Sequence, residues 1–200
     1  MFNAKTNMTM TKLKLNTILI LFAMLPALQL FSQQDSIPPP TPANIPIDEA
    51  SGLIVYQEVV SEPGTKSVLF NRASEWLHQF FANPVHVTKV RDASSGIIKG
   101  RHQFELFRTD KDGNKIHAGM VLYSFKIEAR DERYRYTVDE LLLRQQSRYP
   151  IEKWLDKNDP NYNPQWEEYL QQIDNYVRNV FAASLKEAMK PKKEYQEEEW

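Results

Sequence analysis

The stretch Tyr123-Ser-Phe-Lys-Ile-Glu-Ala-Arg-Asp-Glu-Arg-Tyr-Arg-Tyr-Thr-Val138 alternates apolar and polar residues on both sides of the acidic pair Asp131-Glu132. The apolar positions of this alternation are Tyr123, Phe125, Ile127, Tyr134, Tyr136 and Val138. A period of two predicts β-strands that bury one face and leave the other in water. We therefore expect an antiparallel hairpin within a sheet that is covered on one side.

Further strands are predicted around this hairpin. The additional segments are 53–60, 85–91 and 97–107, and the first strand of the hairpin extends back to residue 115. The segment 53–60 is rich in β-branched and aromatic residues and is followed by the turn-forming pair Pro63-Gly64. Polar connections at 92–96 and 109–114 are typical of hairpins. These segments predict five strands.

Two segments have the period of an α-helix. The first has apolar residues at Leu69, Ala73, Trp76, Leu77 and Phe80. Thr65 or Ser67 can cap its N-terminus, and Asn83-Pro84 should follow its end. The second is about 24 residues long, or roughly 36 Å. Its apolar positions are Trp166, Tyr169, Leu170, Ile173, Val177, Val180, Phe181, Leu185 and Ala188.

The order β-α-β-β-β-β-α predicts an α+β domain over residues 48–189. In it, a mainly antiparallel five-stranded sheet carries one short and one long helix on one face. Residues 144–189 of this domain comprise an irregular loop and the long helix. Gly100 and Gly119 fall inside strand patterns, where glycine usually marks a bulge or the close approach of another element.

The N-terminus has the residue order of a secretory signal peptide. Lys12 and Lys14 precede an apolar run at 18–25, which Pro26 interrupts well short of the roughly 20 apolar residues that a membrane span needs. The predicted organisation is a signal peptide at 1–33, a Pro-rich linker at 34–47, the domain and a charged tail at 190–200. We expect a secreted or periplasmic protein with no stable membrane anchor after signal cleavage.

Charge and cysteine content exclude several classes of protein. The 200-residue chain has 25 Lys and Arg, 26 Asp and Glu and a formal net charge of −1. Loss of residues 1–33 removes three lysines and no acid, which makes the remainder more acidic. This balance gives no electrostatic drive toward nucleic acid. Without cysteine, the chain has no disulfide, thiolate metal ligand or thiol nucleophile.

Several of these segments resemble a known family. They are the opening stretch 52–60, the helix that contains Ala73 and Trp76, the segment 96–100 and the strand 131–137. Together they resemble a secreted bacterial family known only as a domain of unknown function with a TBP-like fold, over residues 48–143 or about half of the chain. The resemblance implies a fold and export. It implies no chemistry, because fold alone does not carry function.

A calcium loop is the first candidate metal site. Asp110, Asp112 and Asn114 have the first three ligand spacings of such a loop. However, Lys115 and Val121 stand where the motif requires Gly and Glu. We interpret the segment as a hairpin turn.

Histidines provide the second candidate. His86 and His102 would face each other if Asp92 paired with Gly96. A third ligand is missing, since His117 lies near the other end of its strand. We expect neither a metal ion nor any other cofactor.

Catalytic motifs are missing from the sequence. There is no Gly-x-Ser-x-Gly elbow, and six scattered glycines form no phosphate-binding loop. Glu167, Glu168 and the acidic run 197–199 are most simply a solvated helix face and tail. We predict that the protein is not an enzyme.

The best binding candidate is the run Arg133, Tyr134, Arg135 and Tyr136, because arginine and tyrosine together can hold an anion or an aromatic group. Simple alternation is the plainer interpretation, with tyrosines under the helices and arginines in water. A second aromatic group could stack on a sugar ring but more often anchors a loop. Its members are Trp154, Tyr162 and Trp166.

We therefore expect an exported, non-catalytic binding or interaction module that uses the face or the edge of its sheet. Its partner would be an unknown envelope protein or small molecule. The alternative is a carrier that holds an apolar small molecule between the long helix and the sheet.

Overall fold

The computed structural model describes residues 44–144 and 148–192 and contains one antiparallel sheet. Its strands are β1 (Tyr56–Ser61), β2 (Thr88–Asp92), β3 (Ile97–Thr109), β4 (Lys115–Arg130), β5 (Arg133–Arg144) and β6 (Arg148–Pro150). The order across the sheet is β1-β5-β4-β3-β2, and β6 pairs with the end of β5. The predicted antiparallel α+β architecture is confirmed.

The predicted number of five strands is wrong, because β6 adds a sixth. This strand lies in the stretch after Leu143 that the sequence indicates to be irregular. It pairs Leu142 with Pro150 and Arg144 with Arg148. A three-residue strand that ends in proline has no alternation long enough to be recognised from sequence.

The predicted strand 85–91 is wrong at its start. A short helix, α2 (Pro84–Val87), precedes β2. Asn83 caps this turn, since its Oδ1 accepts a hydrogen bond from the His86 N–H at 3.3 Å. Proline at the first helical position has a φ that suits the helix. These two local effects outweigh the β propensity of the valines in the segment.

Both predicted glycine features are confirmed. Leu106 pairs with Gly119 and Phe107 pairs with His117, so that one extra residue on β4 forms a bulge. Gly119 has a φ of +153°, which favours glycine. At Gly100, in contrast, the buried ring of Phe125 packs against the backbone, and no other residue type leaves room for it.

A second bulge lies in β5 at Glu140. Ser124 pairs with Asp139, whereas Leu122 pairs with Leu142, so β5 has one residue more than β4 over this interval. Glu140 has a φ of +50°. The bulge changes which residues of β5 face the core. Tyr134, Tyr136 and Val138 are buried before it, and Leu141 and Leu143 are buried after it.

The short helix α1 (Lys66–Phe80) is confirmed. Thr65 is its cap, because its side chain accepts a hydrogen bond from the Val68 N–H at 3.4 Å. The buried positions of the helix include Leu69, Ala73, Trp76 and Leu77, which are spaced as the sequence predicts.

The long helix is also confirmed, with a change of pitch at its centre. It consists of α3 (Gln165–Asn175), a π-helical segment (Tyr176–Ala182) and α4 (Ala183–Met189), and a 3-10 helix (Ile151–Leu155) precedes it. The π-helical segment carries two large inward side chains. Phe181 is fully buried, and the hydroxyl of Tyr176 lies 2.9 Å from that of Tyr123.

The predicted signal peptide 1–33 lies outside the described residues, as do residues 34–43 of the linker and 193–200 of the tail. The last linker residues belong to the folded domain. Ile47 forms a β-bridge with Ile54, and the Asn44 carbonyl accepts a hydrogen bond from Nη2 of Arg178 at 3.0 Å. Residues before the predicted domain start at 48 therefore also contact the domain.

Candidate functional site

The candidate run on β5 is divided between the two faces of the sheet. Tyr134 and Tyr136 point toward the helices and are 1% and 6% exposed. Arg133 and Arg135 point to the opposite side, because successive side chains of a strand alternate between faces. The four residues therefore do not form one site. They follow the alternative interpretation, in which tyrosines face the helices and arginines face the other side of the sheet.

On the helix side, Tyr136 belongs to a polar cluster at the edge of the core, whereas the buried hydroxyl of Tyr134 has no hydrogen-bond partner among the described residues. The hydroxyl of Tyr136 donates to Oε2 of Glu58 at 2.7 Å, and Nζ of Lys186 donates to Oε1 of the same carboxylate at 2.8 Å. Burial raises the pKa of Tyr136, and the bond to Glu58 raises it further. Burial also raises the pKa of Tyr134. Both hydroxyls thus remain protonated and structural.

The opposite side of the sheet, which we call the open face, is occupied by no described helix. On it, Nε of Arg135 donates to Oε2 of Glu128 at 2.7 Å, and Nζ of Lys126 lies 3.0 Å from Oε1. Partial burial raises the pKa of Glu128, but the hydrogen bonds from Lys126 and Arg135 lower it by more. Glu128 is therefore a fixed anion that holds Arg135 in place.

Arg130 and Arg133 lie directly opposite each other where β4 turns into β5. The turn itself contains two carboxylates, Asp131 and Glu132. Both bond to the backbone at the start of α1 and not to these arginines. Oδ1 of Asp131 accepts from the backbone N–H of Lys66 at 2.7 Å, and Oε1 of Glu132 accepts from that of Gly64 at 3.2 Å. Neither Arg130 nor Arg133 forms an ion pair within the described part of the chain.

These arginines surround a shallow cavity of about 160 Å³ on the open face. Its lining residues are Val59, Glu128, Arg130, Arg133, Tyr134 and Arg135. We call this the arginine cavity. Val59 is 58% exposed and gives it an apolar wall. Val59 and Arg130 were not predicted to belong to this site, and it is the pairing of β1 with β5 that brings Val59 here.

The predicted pairing of His86 with His102 is wrong. His86 lies in α2, and His102 pairs with Tyr123 of β4. The pairing of Asp92 with Gly96, on which this prediction depended, is also wrong, since Asp92 pairs with Ile97. Among residues 44–144 and 148–192, no group of three potential ligands has the geometry of a metal site.

The candidate calcium loop is the hairpin turn between β3 and β4. Oδ1 of Asp110 accepts from the backbone N–H of Asp112 at 2.9 Å and of Asn114 at 2.8 Å. The bonds from Asn114 lower the pKa of Asp110. This carboxylate therefore organises the turn from within, as aspartate commonly does.

The aromatic group beside the prolines anchors the loop before α3. The rings of Trp154 and Trp166 stack with centroids 6.1 Å apart, and Trp154 is 3% exposed. Tyr162 contacts the edge of Trp166 and donates to Oε1 of Glu167 at 2.6 Å. Glu168 bonds to Gln165. None of these contacts resembles a paired-carboxylate site.

His102 should make stability depend on pH. Its Nδ1 is buried without a hydrogen-bond partner in the described residues, and burial lowers its pKa. The unfolded chain, where histidine titrates at about 6.5, therefore binds a proton more tightly at this position than the folded protein does. Stability is full above that value and falls as the pH drops below it. In urea titrations at several pH values, we expect His102→Gln to reduce this loss.

The matched control for this measurement is His86→Gln, at an exposed position. It leaves His102 unchanged and should retain the pH dependence of the parent protein. If His102→Gln and the parent lose stability equally between neutral and mildly acidic pH, then another group causes the dependence.

The sheet topology and the helices on one side define an α+β domain of the TBP-like type. Residues 56–142 match the family model described as "Domain of unknown function (DUF4468) with TBP-like fold". The resemblance noted from the sequence is therefore confirmed: over these residues, which are somewhat less than half of the chain, the protein is similar to that family. No curated protein matches the chain.

Two solved structures share the fold. A DUF4468 family protein from Bacteroides ovatus is 12% identical, with a TM-score of 0.59, and the match covers 74% of this chain and 93% of that one. A TBP-like protein from Parabacteroides distasonis is 18% identical, with a TM-score of 0.58 and coverage of 74% and 99%. At these identities the likeness concerns the fold alone.

Proposed function

We propose that this protein is an exported, non-catalytic interaction module that binds a protein partner in the cell envelope through the open face of its sheet. The observation that supports it is the contrast between the two sides of the sheet. The space between the helices and the sheet is filled by the domain's own buried side chains, whereas the open face presents the arginine cavity and an exposed valine.

The charge of the open face supports a macromolecular partner. Its basic residues include Lys99, Arg101, Lys115, Lys126, Arg130, Arg133, Arg135 and Arg144, and its acidic residues include Asp92, Glu105, Glu128, Asp139 and Glu140. The whole chain, by contrast, has a formal net charge of −1. A basic surface on a slightly acidic protein favours encounter with an acidic partner.

The packing beneath the long helix argues against the carrier alternative. Phe181, from the π-helical segment, is fully buried, and its ring lies 5.5 Å from Phe125 and 5.9 Å from Tyr123 of the sheet. Trp76 of α1 closes the same cluster, 5.1 Å from Phe181. These rings occupy the space in which a carrier would hold its ligand.

Export is part of the proposal and depends on the sequence of residues 1–33. In the described residues, none of the helices has both the length and the apolar character needed to cross a bilayer. The proposal that the module is non-catalytic depends on two observations. The sequence has no nucleophile motif, and the tyrosines and carboxylates described above have structural roles.

Site-specific photocrosslinking tests which side of the domain binds. We expect a benzoylphenylalanine at Gln57, an exposed position on the open face, to form kilodalton-scale adducts in envelope extract. The same probe at Asn71, exposed on α1, is the matched control and should form none. The adducts are measured by mass spectrometry.

Two results would contradict this proposal. One is equal crosslinking from both positions, which would indicate nonspecific contact. The other is a bound molecule of less than a kilodalton in native mass spectrometry of protein recovered from the extract, since that is the result expected of a carrier.

A further inference from the structure

The arginine cavity has a surplus of positive charge that its own surroundings do not neutralise. Arg130 and Arg133 lie opposite each other, an arrangement of like charges that destabilises a sheet. The carboxylates of the turn, Asp131 and Glu132, accept hydrogen bonds from the backbone N–H groups of Lys66 and Gly64. Glu128 is shared between Lys126 and Arg135. A carboxylate arriving from solution would therefore relieve the repulsion between Arg130 and Arg133.

In the described residues, the edge of the sheet beside this cavity pairs with no further strand, and we call it the free edge. Along β1, the N–H groups point alternately toward β5 and away from it. The Glu62 N–H donates to Glu132 on the β5 side, and the Val55 N–H donates to Pro46 on the other side. The backbone groups of the three odd-numbered residues of β1 therefore face outward, and none bonds to another described backbone group. They belong to Gln57, Val59 and Ser61.

The free edge and the cavity are adjacent. Val59 both presents its backbone at the edge and forms the apolar wall of the cavity. Ser61 is the partner of Arg133 in the β1–β5 pairing, so Arg133 lies one strand away from the edge. An inorganic anion would use only the arginines, whereas an extended peptide can use the backbone edge, the valine and the arginines together.

We propose that the partner supplies an extended acidic peptide segment, which adds to β1 as an extra strand and places a glutamate or aspartate carboxylate in the arginine cavity. This inference rests on the proposed function and defines the chemistry of the partner. Strand addition supplies affinity through the main chain, and the carboxylate supplies specificity through Arg133.

The test is an NMR titration of the 15N-labelled protein with two synthetic peptides. One is acetyl-Thr-Glu-Val-Glu-Val-Glu-Thr-amide, and the other has Gln in place of each Glu. We expect the Glu peptide to bind about tenfold more tightly at low salt, because charge-assisted hydrogen bonds are stronger than neutral ones. Amide shifts should include Gln57, Val59 and Ser61, together with Nε of Arg133.

Variants separate the two parts of the site. Arg133→Gln should abolish the preference for the Glu peptide, whereas Arg144→Gln, on the same face and bonded to Gln103, should retain it. Val59→Pro removes an N–H that points away from β5. Because proline is tolerated on edge strands, this variant should keep the fold and bind neither peptide.

The proposal is overturned if the two peptides bind equally, if Arg133→Gln keeps the preference, or if the shifts avoid β1. It is also overturned if inorganic phosphate alone reproduces the shifts of β1, since the peptide backbone would then be dispensable. The proposed function is judged separately. If the Arg133→Gln protein still crosslinks from Gln57 to the same extent, the open face remains the proposed binding surface. The proposal of an acidic peptide segment is then rejected.

Discussion

Trp76→Ala is expected to lower the free energy of unfolding by about 3 to 5 kcal/mol, as truncation of a buried aromatic residue typically does. Trp76 is 2% exposed and lies where α1, the long helix and the sheet meet. Its ring stacks on Phe80 and meets the edges or faces of Phe81, Phe125 and Phe181, with centroids 4.9 to 6.4 Å apart. Alanine leaves a cavity that these rings cannot all move to fill.

Two controls separate packing from hydrogen bonding in this result. Nε1 of Trp76 donates to Oγ of Ser184 at 2.7 Å, so Ser184→Ala removes the acceptor but keeps the ring. That change should cost only about 1 to 3 kcal/mol, for the buried donor left without a partner. Val85→Ala, at a position 78% exposed, should change little. A denaturation midpoint for Trp76→Ala equal to that of the parent would show that the ring does not support the core.

Gly100→Val should destabilise the domain by about 3 kcal/mol, at the upper end of what overpacking usually costs. A Cβ at this position would lie 2.5 Å from Cε1 of Phe125 and 2.9 Å from the Val87 carbonyl oxygen. Phe125 is 2% exposed and is held by Phe81, whose ring stacks on it at 5.5 Å. The ring therefore cannot swing aside, and the strands must separate.

The matched control for this substitution is Gly113→Val. Gly113 has a φ of +83° and open space around it, so valine there meets backbone strain of about 1 to 2 kcal/mol but no overlap. Adding Phe125→Leu to Gly100→Val should recover part of the lost stability in urea titrations, because a smaller side chain relieves the overlap. Equal losses at Gly100 and Gly113 would contradict the steric explanation.

The alternation in 123–138 was sufficient to predict the central hairpin and its buried face, because a period of two leaves little freedom of register when one side is covered. The same property predicted that Tyr134 and Arg135 would be on opposite faces. The start of β2 was predicted wrongly, because the valines of the segment were given more weight than Asn83-Pro84, a local signal that starts a helical turn. The bulge at Glu140 could not be predicted. Residues 141–143 are all leucine, so an apolar residue faces the core whether or not the strand shifts by one position.

The candidate site was predictable only in part. Arg133 and Arg135 were identified, but their surroundings depend on two facts that are not local in the sequence. One is the pairing of β1 with β5, which brings Val59 to the cavity. The other is the contact between the acidic turn and the start of α1, which withdraws Asp131 and Glu132 from the arginines.

The pairing of the first strand with the fifth also affects when the protein can fold. Tyr56 pairs with Val138, and β1 has no partner among the strands that are synthesised between them. A nascent chain that ends before β5 consequently cannot complete its sheet, and closing such distant contacts is slow. Late folding of this kind is compatible with the proposed export, because a polypeptide that remains unfolded during synthesis can be threaded through a narrow membrane pore before its tertiary structure forms.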